Sequence, residues 1–371
     1  MELRASLALV GDDIEPARDV CIFVDDQGNV ESIEGWGSCP QGAAGGSWAV
    51  VLPQPANAHV HSADGGFPEF GVDLGLHELV APPDGLKYRM LSTLSGAELV
   101  ASIARTYYLA YKMGVGLLVD FREGGGEGCQ AAHAALRSTA RDLELLVLGT
   151  PGPGFPEGCD GLGVSSPLDY PESLLRQLTS LFPVSMTHVA EDPNNWAQGD
   201  LQEAIRSGFK GIVHGTYLTS EELEAVRDRG VGLVMCPRSN LWHGLRAPPV
   251  ADAIRLGVTL GLGSDNAAWS VPEPWSEAEL ALLLARSQGL KSPLASRGVL
   301  RALFVGGYRV VGREPRTIVE GRRLHSVIVD GASTGILAAS SVEDAIIKRS
   351  RYGLAYRLDG VSLDVLGLRL A

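Results

Sequence analysis

Apolar and polar positions follow two different rhythms along the 371-residue chain. Near the N-terminus the apolar runs are short: Leu7–Val10, Val20–Val24 and Val30–Ile33, the last two separated by the turn Asp26-Gln27-Gly28-Asn29. Short runs broken by Asp, Asn and Gly predict strands joined as hairpins. Similar material returns in Ser326–Asp330 and Tyr356–Val361. Such hairpins need a cover for their apolar face, so the two ends, 1–51 and 316–371, are expected to form one small β-sandwich domain.

Between the ends, apolar runs alternate with stretches of helical period. Eight strands are predicted, at Val51–Ala58, Val115–Asp120, Glu144–Thr150, Gly161–Ser165, Val184–His188, Gly211–His214, Val231–Cys236 and Thr259–Ser264. Helix-like segments separate most of them: Ala97–Met113, Gln130–Leu143, Pro171–Leu181, Leu201–Phe209, Ser220–Arg229 and Ala251–Leu256. Thr219-Ser220-Glu221-Glu222 has capping-box spacing, which starts a helix after the sixth strand. Repeated β-then-α units predict an α/β fold, a (β/α)8 TIM barrel over residues 52–315. The alternative, a doubly wound sheet, gains nothing, because no G-x-G-x-x-G or P-loop follows a strand.

Charge narrows the partners. A formal net charge of -13 without any Lys/Arg block excludes nucleic acid and anionic membrane as the main partner, leaving a small-molecule substrate. The first residues lack a signal-peptide layout, and no run reaches the roughly 18–20 apolar residues of a membrane span, so a cytoplasmic protein is expected, with self-association into a homo-oligomer left open. Cys21, Cys39, Cys129, Cys159 and Cys236 are odd in number and widely spaced, and read as small buried residues or free thiols rather than a disulfide framework.

In a barrel of this kind chemistry sits at the C-terminal ends of the strands. Those ends carry histidine: His59-Val60-His61 after the first, His188-Val189-Ala190-Glu191 after the fifth and His214-Gly215-Thr216 after the sixth, with Gly263-Ser264-Asp265 after the eighth. A lone strand histidine is most often structural. Four of the chain's eight histidines at strand ends, with an Asp at the last, instead suit one divalent cation, Zn2+ foremost, with Fe2+, Ni2+ or Mn2+ as alternatives.

These motifs, together with Cys236-Pro237-Arg238-Ser239-Asn240, resemble the amidohydrolase superfamily. They are similar in particular to its deaminase and chlorohydrolase branch, which includes S-adenosylhomocysteine, guanine, cytosine and adenosine deaminases. The resemblance implies that His59, His61, His188 and Asp265 hold the metal, that His214 orients the attacking water, and that Asp265 helps to take its proton. Glu191 would protonate a ring nitrogen of an aminated heterocycle or nucleoside derivative. Binuclear members carry a bridging Lys or Glu at the fourth strand end, where this chain has Gly161–Ser166, so one metal is expected. The rival readings are hydrolysis of another C–N or C–halogen bond, and a non-catalytic barrel used as a binding scaffold.

Other residues are assigned by position alone. Arg122, Arg238, Asn240 and Trp269 follow strands and are candidates for substrate binding, weighed against salt bridges, turns and packing. Trp196, Trp242 and Trp275 have the same packing alternative. Lys87 is expected to be a surface or substrate contact, and His77 a surface residue. The segment 63–90 is long for a loop of a compact barrel; such loops are often lids, and its role is left open.

Overall fold

The computed structural model describes residues 1–139 and 142–366. The end of the predicted helix Gln130–Leu143 falls partly, and the last five residues of the C-terminal segment fall wholly, outside the described residues.

Four strands open the chain: β1 (Glu2–Val10), β2 (Glu15–Val24), β3 (Val30–Gly35) and β4 (Ala44–Pro53). Nine follow in the middle: β5 (Ala56–His61), β6 (Leu117–Arg122), β7 (Glu144–Gly149), β8 (Gly161–Val164), β9 (Ser185–Val189), β10 (Gly211–His214), β11 (Gly232–Met235), β12 (Leu260–Leu262) and β13 (Asp265–Asn266). The last three are β14 (His325–Asp330), β15 (Leu354–Asp359) and β16 (Ser362–Val365).

The two ends do meet, in a single seven-stranded sheet of order β16-β15-β14-β4-β1-β2-β3; a second sheet facing it is not seen among the described residues. Period-2 alternation gives this sheet two apolar faces. Val50, Leu52, Val327 and Val329 join the large core of the helical layer, whereas Ala49, Val51 and Ile328 pack with Leu3, Ile22 and Leu358 on the other side. The sheet is therefore covered by the rest of the chain on one face.

The middle strands form a curled parallel sheet. β12 pairs with β11, and β13, three residues further on, pairs with β5, so the sheet returns on itself. Alanine, leucine, valine and methionine side chains from six of its strands, among them Ala58, Val119, Leu146, Met186, Val213 and Val234, pack together inside it. The predicted strand Val51–Ala58 is in fact two. Pro53 and Pro55 flank Gln54, and prolines without N–H groups interrupt ladder pairing, so the chain crosses from one sheet to the other there. Likewise the predicted strand Tyr356–Val361 turns at Gly360 (φ 66°), making β15 and β16 a hairpin.

The predicted helices lie close to their expected places, and the Thr219 box is formed, with Glu222 N–H donating to Thr219 Oγ1 (3.3 Å) and Thr219 N–H to Glu222 Oε2 (2.9 Å). The expectation for the cysteines is corrected. Cys21 is bonded to Cys39 and Cys129 to Cys159, with Cα separations of 5.5 and 5.2 Å; only Cys236 is free, and it is buried. Sequence separation concealed both pairs, because sheet pairing and helix docking bring their Cα atoms together. Among the described residues no helix is long and apolar enough to cross a membrane.

Candidate metal centre

Strand register brings the histidines together. β13 pairs with β5 so that Asp265 faces Val60 and Asn266 faces His61, while β9 and β10 align His188 with Val213. A register irregularity between Asn57 and Val60 re-aims β5: Ala56 and Ala58 point into the barrel core below, and His59 and His61 join the cluster above. Gly263 is needed beside them, since a Cβ there would lie 2.7 Å from His59 Cβ. Ala190 (φ 48°), His214 (φ 74°) and Asp265 (φ 58°) all adopt left-handed backbone, a cost of about 1–3 kcal/mol each that surrounding structure must offset. Three of the six non-glycine residues with left-handed backbone among the described residues thus lie in or beside the cluster.

Within it, Asp265 Oδ1 lies 3.2 Å from His59 Nε2 and 3.6 Å from His61 Nε2, and His61 Nε2 lies 3.4 Å from His188 Nε2. Partners on the far side of each ring decide the tautomers. His188 Nδ1–H donates to the Val164 carbonyl (3.1 Å), leaving Nε2 bare. His61 Nδ1 lies between Glu123 Oε1 (3.0 Å) and Lys87 Nζ (3.1 Å); when Nδ1–H donates to the carboxylate, as a metal on Nε2 requires, Nε2 is bare as well. Two bare nitrogens 3.4 Å apart repel each other unless a cation sits between them. The spacings also fit: a tetrahedral ion with bonds of about 2.0–2.1 Å has donor–donor edges of about 3.3–3.4 Å. His59 Nδ1 is buried without a partner. The donor set fits a divalent metal.

Electrostatics agree. Burial lowers His59 and His214 to about 4 and His188 well below its ordinary value, so these rings are neutral near pH 7, as ligands must be. Burial alone would raise Asp265, but the hydrogen bond from His59 and the surrounding imidazoles outweigh it and hold the carboxylate ionised. Glu191 behaves oppositely: burial, and then the charges of Asp265 and Asp192, push it up to about 8. Its Oε1 lies 3.6 Å from His214 Nε2. The site thus holds one ionised and one protonated carboxyl side by side.

A cavity of about 320 Å3 opens over the cluster, walled by His61, His188, Glu191, His214 and Asp265, with Tyr88, Ser165, Asp169, Asp192, His243 and Trp269 around it. Trp269 is therefore where a substrate contact needs it. Arg122 and Arg238 are not. Arg122 is 1% exposed and ion-paired with Glu123, with Nη1 3.0 Å from Ser62 Oγ; Arg238 binds Glu277 (2.5 Å) and the Val271 and Glu273 carbonyls. Carboxylates and carbonyls hold both guanidinium groups away from the cavity lining. Asn240 is buried behind the wall, its Nδ2 3.1 Å from His214 Nδ1, where it fixes the ring's tautomer. Trp275 is fully buried and donates to the Met113 carbonyl, Trp196 bonds Glu222, and Trp242 is exposed. Lys87 is not on the surface: it is 3% exposed, 2.5 Å from Glu123 Oε1 and 3.1 Å from Asp64 Oδ2. His77, expected at the surface, is exposed but also lines the cavity, 3.7 Å from Asp192. Sequence reasoning overlooked Ser239, whose hydroxyl donates to Asp265 Oδ2, and His243, which meets Trp269 edge-on at 5.0 Å. Ser239 carried the same positional signal as its neighbours Arg238 and Asn240, whereas His243 lies farther from any strand end.

Residues 184–305, carrying His188, Glu191, His214 and Asp265, match the amidohydrolase family. A Methanothermobacter thermautotrophicus protein provisionally named an aminohydrolase is 28% identical over 266 residues, 64% of this chain and 68% of that one. Over these stretches the chain is similar to amidohydrolases. A 5-methylthioadenosine/S-adenosylhomocysteine deaminase of Pyrococcus furiosus is 28% identical over 142 residues, 38% of this chain and 34% of the relative, so that likeness spans about a third of each. The fold is that of a zinc-bound adenosine deaminase from Xanthomonas campestris, with a TM-score of 0.81 at 17% identity over 98% of this chain and 92% of that one. A zinc complex of an atrazine chlorohydrolase from Arthrobacter aurescens matches at 0.78 and 15%, over 98% and 95%.

Proposed function

We propose that this protein is an amidohydrolase, a mononuclear, metal-dependent deaminase of an uncharged or cationic aminated heterocycle or nucleoside derivative. The observation that carries it is the pairing of bare imidazole nitrogens and the ionised Asp265 with a neighbouring Glu191 held protonated up to about 8. His59, His61, His188 and Asp265 would hold the ion, zinc in the first instance, and β8 ends in Gly161–Val164 with no side chain able to bridge to a second. When bound, a divalent ion supplies a nucleophilic water near neutral pH by lowering its pKa from about 15.7 towards about 7.

The remaining work falls to the protein. Glu191 carries its proton at the cavity wall, where it can pass to a ring nitrogen and make the adjacent carbon electrophilic. His214, aligned by Asn240, orients the water, and Asp265, anchored by Ser239, accepts its proton. That proton would then leave with ammonia, and the proton of the added hydroxyl would return to Glu191 as the carbonyl forms. Among the described residues lining the cavity, Glu191, Asp192 and Asp169 face no arginine, and Lys87 is spent on Asp64 and Glu123, so phosphate- or carboxylate-bearing substrates are disfavoured.

Ammonia release over bases, nucleosides and nucleotides, with Glu191→Gln as control, tests the reading alongside elemental analysis. About one metal per chain, lost in His59→Ala, and turnover of an uncharged amine are expected. Halide release from a chlorinated analogue without any ammonia release, or a metal-free folded protein, would overturn it.

A further inference from the structure

The segment between Gly66 and Ser92 folds over the cavity as two short helices, Leu76–Val80 and Leu86–Leu91. It is weakly held by apolar contacts: only Leu79, Gly85 and Lys87 are buried in it. Yet its one buried charge reaches the deepest polar layer of the site. Lys87 Nζ lies 2.5 Å from Glu123 Oε1 and 3.1 Å from His61 Nδ1, and that carboxylate oxygen is itself 3.0 Å from His61 Nδ1. Arg122 engages Glu123 Oε2, and Asp64 Oδ2, which also accepts from Asn266 Nδ2 (2.5 Å), lies 3.1 Å from Lys87. The carboxylate that orients His61 is therefore held from one side by the barrel and from the other by the lid.

We propose that segment 67–91 is a lid latched through Lys87 to the partner of a metal ligand, so that lid docking and metal retention stabilise each other; Lys87 and Glu123 are positioning residues for His61. This rests on the reading that His59, His61, His188 and Asp265 hold a metal. With the lid docked, Lys87 holds Glu123 Oε1 beside His61 Nδ1, so that when a metal takes the Nε2 lone pair the proton left on Nδ1 has its acceptor in place. With the lid open, Lys87 departs, Asp64 and Glu123 face water, and the His61 ring loses its brace. Because a coupling free energy is reciprocal, a metal that favours the braced ring must favour the closed lid equally. A cavity that closes only when the ion is in place admits substrate only to a competent site.

The test needs two measurements on the full chain. First, hydrogen exchange of segment 76–91 is compared in the zinc-loaded wild type and after zinc removal by chelation, with the terminal sheet as internal reference. Exchange in 76–91 is expected to rise about tenfold or more on zinc removal while the sheet is unchanged. Second, zinc transfer to a chelator is timed in Lys87→Met/Asp64→Asn, which removes one charge of each sign so that no carboxylate is left newly unpaired. Release about 10–100-fold faster than wild type is expected, the range for loss of a ligand's hydrogen-bond partner, with lid exchange no longer sensitive to zinc. Equal exchange with and without zinc in the wild type overturns the latch without any variant, as does unchanged release in the double variant. A wild type that binds no metal would instead overturn the functional reading, and the latch with it.

Discussion

The barrel carries a buried polar cluster at each end, and the two are built on opposite terms. At the N-terminal ends of β5, β6 and β7, Arg357 is fully buried and every donor group is matched: Asp359 Oδ2 (2.6 Å), Gln54 Oε1 (3.0 Å) and the carbonyls of Val115 and Asp142 (2.6 Å each). Asp359 in turn accepts from His325 (2.7 Å) and Gln54 (3.0 Å). At the C-terminal ends, by contrast, His59 Nδ1 has no partner, two bare imidazole nitrogens face each other, and Glu191 is pushed to about 8. A saturated network fastens the terminal sheet to the barrel. An unsaturated one holds groups in states that only a ligand completes.

Breaking each cluster is therefore expected to have separate consequences. Glu191→Gln should lower kcat/KM by about 10²–10⁴-fold, the usual worth of a positioned general acid, with no loss of stability in urea. Arg357→Met takes the guanidinium from buried Asp359, leaving it His325 and Gln54, and should cost about 3–5 kcal/mol in the same urea titration, while folded protein retains its metal. Lost stability in the first variant or lost metal in the second would erase the distinction.

Protonation sharpens it further. Asp359 is lowered to about 2, because the His325 hydrogen bond and the Arg357 charge outweigh the upward push of burial. A lowered carboxyl stabilises the fold above its ordinary value of 3.8 and loses that contribution as pH falls towards 2, so on the order of 2 kcal/mol should vanish in that window, and not in Asp359→Asn. Glu191 has the opposite sign. Its folded value is raised, so its protonated form favours folding fully below the ordinary 4.5, and that contribution is lost as pH rises through about 8. The same ionisation removes the proton donor, and a pH–rate profile should show kcat/KM falling above about pH 8. The smallest effect is a count: unreduced, denatured protein should show one reactive thiol, Cys236, and reduced protein five.

Much of the catalytic end was legible from sequence. Strand ends are marked by where an apolar run stops, and His59, His61, His188, His214 and Asp265 all stand there. The other end was not, because Gln54, Val115, Asp142 and Arg357 are far apart in the chain and meet only through sheet topology. Lys87 misled for the same reason: a lysine in a long polar loop looks exposed until its carboxylate partners are known. Arg122 and Arg238 misled by chemistry, since a guanidinium fork suits a substrate carboxylate and a structural one equally.

The sequence by itself determined the alternation of strands and helices, the order of the metal-binding motifs, and the absence of a basic footprint, because these follow from local period and residue type. Tertiary structure decided what depends on distance. It paired the cysteines, divided the strand at Gln54 between two sheets, spent both arginines on internal carboxylates, and raised Glu191 by burying it beside Asp265 and Asp192. Whether a polar group is satisfied is a property of its surroundings, and those surroundings are assembled only when the sheet closes.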